Sequence, residues 1–104
     1  MDPIKRQKLE AAGWKVGTVA ELLQLTSEEE AIVEIRVSLS KSLRKLRQQE
    51  QLSQQKLAEK TNSSQSRVAK MEAADSSCSI DLLIKSLLAL GATREDIATA
   101  ISGN

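Results

Sequence analysis

An all-helical fold is what this sequence predicts, on three observations. Its patterned stretches repeat apolar residues at steps of three and four, the spacing of one helix face. They carry few internal breakers, since the 104 residues include only four Gly and one Pro. The apolar 40% is almost entirely Leu, Ile, Val and Ala, with Trp14 as the one aromatic, so the core has to be aliphatic. A chain of this length makes one core with little to spare.

The elements follow in order. Asp2-Pro3 reads as an N-cap with proline at the first helical position, opening a short helix to about Ala12 that Gly13 stops. Residues 13–17 break the helical pattern and can be extended. Thr18 and Glu21 have capping-box spacing and open a second brief helix through Val19, Leu22 and Leu23. Thr26 or Ser27 caps the next helix, with Glu29 or Glu30 completing the box. Glu28, Glu29 and Glu30 then fall in its first turn, where the positive helix end favours anions. Ile32, Ile35, Leu39, Leu43 and Leu46 form its expected buried stripe, flanked by Val33 and Val37, to about Gln49.

Leu52 and Leu57 bracket Ser53 as a hydrophobic staple does an N-cap, and that helix runs to about Thr61. Asn62 takes the turn, because it tolerates left-handed backbone better than most residues. Ser63 or Ser64 caps the next helix, through about Ala73, and residues 75–78 are a loop. Ser79 caps the most apolar helix, with Ile80, Leu83, Ile84, Leu87, Leu88 and Leu90 on its expected inner face; Gly91 ends it. Thr93 and Asp96 open a last helix carrying Ile97 and Ile101.

Several function classes drop out on composition. No apolar run approaches a membrane span, and no signal-peptide arrangement opens the chain. A lone Cys78 forms no internal disulfide and suits a cytoplasmic protein. With no His and one Cys, the usual zinc sites cannot be assembled, and neither metal nor cofactor is expected. Enzymatic chemistry is disfavoured, because the glutamate triplet is placed as dipole partners and Cys78 has no visible base.

The net charge of +1 conceals a division along the chain. Residues 34–72 hold nine of the fifteen Lys and Arg against four carboxylates, while both flanks are net acidic. A basic middle in a near-neutral whole points to one surface that meets a polyanion. That middle contains Ser53 to Glu72, two short helical patterns meeting at a polar turn. Leu57, Ala58, Val68 and Met71 supply the apolar faces. Ser66 and Lys70 lie opposite Val68 and Met71, with Gln65 in the first turn. A helix-turn-helix presents a reading helix to a DNA groove in this way.

Ser53-Gln54, Leu57-Ala58, the turn at Asn62, Ser64-Gln65-Ser66, Val68 and Met71-Glu72 resemble the phage Cro and repressor (XRE) family. The likeness spans about Leu39 to Ile101, with Asn62 where the family usually has a turn glycine. It implies a five-helix repressor-like domain over residues 31–104, with an N-terminal extension over 1–30 holding one or two short helices. It also implies a homodimeric, sequence-specific regulator of transcription that binds double-stranded DNA. Residues 1–38, together with SSQSRVAKME and the Ser79-to-Gly91 stretch, resemble a HigA-type antitoxin subgroup, whose partner is a small ribonuclease toxin.

Gln65, Ser66, Arg67 and Lys70 are the base-reading candidates. A glutamine amide donates to and accepts from adenine together, and Arg or Lys reads guanine or neutralises phosphate. Gln54, Ser64, Arg44, Lys45, Lys56 and Lys60 are the phosphate candidates, and the resemblance also implies that the Gln54 side chain braces Gln65. Arg47 and Glu72 resemble the family's structural ion pair. Ile97, Ile101, Trp14 and Val16 are the candidate dimer contacts, the last two also for a toxin.

Overall fold

The computed structural model describes residues 24–103, and the helices expected before Thr26, together with Trp14 and Val16, lie outside them. Five helices follow: α1 (Ser27–Gln49), α2 (Gln54–Lys60), α3 (Gln65–Glu72), α4 (Ile80–Ala89) and α5 (Arg94–Ser102). Among the described residues there is no strand. The chain divides into two units, Met1–Glu34 and Ile35–Asn104.

Each helix starts where a short hydroxyl side chain can take an orphan backbone donor. In the first unit, Thr26 Oγ1 accepts from Glu29 N while Glu29 Oε1 accepts from Thr26 N, a complete capping box. In the second, Ser53, Ser64 and Ser79 each accept from the backbone N–H three residues on. Thr93 and Asp96 form a second reciprocal box at α5.

The helix ends share one device as well. After each of α1 to α4 the chain turns through a left-handed residue: Gln51, Asn62, Ala74 and Gly91. The following N–H reaches back five residues, as in Leu52 N to Arg47 O, Ser63 N to Ala58 O, Asp75 N to Lys70 O and Ala92 N to Leu87 O. This is the Schellman arrangement, which normally favours glycine. Only Gly91 matches that preference, so Gln51 and Ala74 gave no glycine signal to read.

The core of the second unit carries no aromatic side chain and is mostly aliphatic. Leu39 and Leu43 from α1 meet Leu57 and Ala58 from α2, Val68 and Met71 from α3, and Leu83 and Leu87 from α4, with Ile97 and Ala100 of α5 closing it. Cys78, from the loop before α4, is buried there too. Arg36 of α1 donates to the Cys78 carbonyl and ties that loop to the first helix.

Two expected stripes are narrower than the pattern suggests. Ile32 is 46% exposed, so the packed line of α1 begins at Ile35. Leu88 is 48% exposed and does not join the inner face of α4. At 100° per residue it lies about 120° from the line through Leu83 and Leu87, and Ser86 is buried instead. The Ser86 hydroxyl is satisfied weakly, by Met71 Sδ at 3.4 Å.

Candidate nucleic-acid interface

Helices α2 and α3 pack closely across a tight turn. Asn62, at φ 52°, makes the left-handed step between them. On α3, Val68 and Met71 have no exposed surface, which fixes the rotation of the helix about its own axis. Gln65, Ser66, Arg67, Ala69 and Lys70 are all exposed as a consequence. Ser64 Oγ accepts from Arg67 N at 3.1 Å, leaving the hydroxyl proton of Ser64 to donate outward. The N–H groups of Gln65 and Ser66, in the first turn, have no acceptor within the helix, which suits an anion.

The far end of α3 is held by charge. Arg47 Nε donates to Glu72 Oε2 at 2.5 Å and Arg47 Nη2 to Glu72 Oε1 at 3.0 Å, a two-pronged contact. Arg47 Nη1 also donates to the Leu52 carbonyl at 2.8 Å, so one guanidinium joins α1, the entry to α2 and the end of α3. The Glu72 hydrogen bonds raise the pKa of Arg47 above its ordinary value, against an opposing effect of burial.

Gln54 is not where the family pattern puts its side chain. Its Nε2 donates to Glu72 Oε1 at 3.2 Å, so this amide group braces the ion pair and not Gln65. A carboxylate already fixed nearby by Arg47 is a stronger acceptor than a neutral amide. The backbone N–H of Gln54, in the first turn of α2, stays available to a phosphate.

The other cations separate. Arg44 and Lys60 are exposed. Lys56 is exposed and paired with Glu59 at 3.4 Å, a contact that solvent screens. Lys45 lines a shallow groove of about 300 Å³ between α1 and α5, with Leu46, Asp96, Ile97 and Ala100. Two residues from Arg47, it lies on the opposite side of α1 from α3. Ile97 is a core residue at 9% exposure and has little surface left for a dimer contact, whereas Ile101 is 40% exposed.

Just beyond α3, Asp75 accepts from Ser77 N at 2.8 Å. Hydrogen bonds from Ser77 hold its carboxyl below the usual range, with smaller contributions from the charges of Lys70 and Arg36. The sequence pattern did not single out Ala69. It carries no polar group to flag it, and only the rotation set by Val68 and Met71 puts it on the outward face.

No described helix is long and apolar enough to cross a membrane. A family profile described as a helix-turn-helix domain matches residues 22–95. The match starts ahead of Leu39, so it takes in all of α1. No curated protein and no solved structure matches the chain.

Proposed function

Because the chain belongs to the helix-turn-helix domain family, we propose that it is a sequence-specific, repressor-like regulator of transcription whose α3 enters the DNA major groove by its N-terminal end. The observation that carries this reading is the exposure of Gln65, Ser66, Arg67 and Lys70 on a short helix locked in rotation by Val68 and Met71. Gln65 is suited to adenine, and Arg67 and Lys70 to guanine or phosphate. Ser64, the N–H of Gln54, Arg44 and Lys60 supply further phosphate contacts, with Lys56 weakened by Glu59. Lys45 is exposed too, but on the side of α1 that lines the groove with α5, so it ranks last among these phosphate candidates.

One module of this kind covers only about 600–1,000 Å² on DNA, so useful affinity calls for two copies. Half-sites about 34 Å apart follow. Of the two α5 candidates for pairing, Ile101 keeps exposed apolar surface and Ile97 does not. The direct test selects duplexes from a random pool and measures binding to the winner and to random DNA. We expect Gln65→Ala to weaken the selected site by about 1–3 kcal/mol and to leave random DNA nearly unchanged. Equal losses on both would remove its reading role, and failure to enrich any duplex would remove the function.

A further inference from the structure

Resting on that reading, we infer that Ala69 reads the C5-methyl group of a pyrimidine in the major groove, making it a specificity residue beside Gln65, Ser66, Arg67 and Lys70. Ala69 is exposed, although it is the one apolar side chain on the outward part of α3. With Val68 and Met71 turned fully inward, steps of 100° put Ala69 within about 50° of the outward direction. Gln65 and Arg67 lie farther round, one on each side. Ala69 therefore faces the groove more squarely than two of the residues that reading by hydrogen bonds would invoke.

A methyl group there cannot form a hydrogen bond. The one apolar feature on the major-groove edge of a base pair is a pyrimidine C5-methyl, carried by thymine. In a helix each Cα–Cβ bond tilts toward the N-terminus, so the Ala69 methyl leans toward the end of α3 that enters the groove. It stands one turn after Gln65 and Ser66. Ser66 is short, so it does not hold the backbone off the base edges. The methylated pyrimidine should therefore neighbour the base that Gln65 reads.

Thymine and 5-methylcytosine present the same methyl group, and modified duplexes separate them. The probe is a duplex selected by the wild-type protein, with each thymine replaced singly by deoxyuridine. Loss of one methyl contact should weaken binding about fourfold at one position per half-site, the equivalent of about 0.8 kcal/mol for one buried carbon, and leave the others unchanged. At that position, cytosine and 5-methylcytosine are then compared. A gain on methylation assigns the contact to the methyl alone, and no gain assigns it to thymine in particular.

Ala69→Gly should bind the thymine and deoxyuridine duplexes equally. The readout is that ratio, so a general weakening from glycine in a helix does not disturb it. If no replacement by deoxyuridine lowers wild-type affinity, or if Ala69→Gly still tells the two duplexes apart, the inference is overturned. Absence of any preferred duplex would instead overturn the function it rests on.

Discussion

Removing the carboxylate of Glu72 should cost more than its place at the end of a helix suggests. The Glu72 side chain is 5% exposed and that of Arg47 is 13% exposed, so the pair is largely out of water. Glu72→Ala leaves the guanidinium with the Leu52 carbonyl alone, and leaves Nε, Nη2 and the Gln54 amide without their acceptor. Breaking a buried pair from one side costs about 3–5 kcal/mol. The residual exposure of Arg47 admits some water, which argues for the lower end, about 3 kcal/mol. That is a large share of the about 5–15 kcal/mol that holds a small domain together. Urea unfolding followed by helical circular dichroism gives the value, provided the denaturant dependence keeps its slope. Arg47→Met with Glu72→Leu, which removes both charges and keeps the volume, should recover most of the loss. A loss below about 1 kcal/mol in Glu72→Ala would be surface-pair behaviour and would refute the claim that this contact anchors α3.

Lys70→Ala should flatten the plot of log affinity against log salt by about 0.9 if Lys70 meets a phosphate; an unchanged slope would remove that contact. Ala74 is left-handed at φ 57°, and Ala74→Gly should stabilise the fold by about 0.5–1 kcal/mol, the relief of strain less the added freedom of the unfolded chain. Gly91→Ala should do the reverse by about 1 kcal/mol, and since a Cβ there meets nothing within 4 Å, the cost is one of backbone conformation; thermal unfolding measures both. Hydrogen bonds from Thr93 lower the pKa of Asp96, so the stability it contributes is complete above the unfolded value of about 4 and is lost as pH falls through the lower folded one. Asp96→Asn should therefore make the acid decline in unfolding midpoint shallower below about pH 4, and an unchanged decline would show that this cap does not carry it.

Much of this fold is written within a few residues of where it acts. Ser53, Ser79 and Thr93 cap helices at the positions their spacing predicts, and Thr26 and Ser64 are each one of two neighbouring hydroxyls the spacing offered, because a cap needs only a hydroxyl and an N–H three residues on. Asn62 makes its turn for an equally local reason. The positions of Val68 and Met71 on the wheel were enough to turn Ser66 and Lys70 outward.

Other features depended on distances between helices that no local pattern contains. Six apolar positions on α4 left open which would be covered, and packing of the neighbouring elements chose Leu83 and Leu87 over Leu88. Gln54 had two acceptors in prospect, and a carboxylate held by Arg47 from another helix took its amide. Lys45 and Arg47 are two residues apart in one basic stretch, yet one lines a groove with α5 and the other anchors α3. The sequence by itself determined the five described helices, most of their caps and the outward edge of α3, since backbone hydrogen bonding and a 3.6-residue period act at short range. The tertiary structure alone decided that the Gln54 amide meets Glu72 and that Lys45 lines the α5 groove, because each partner comes from another helix.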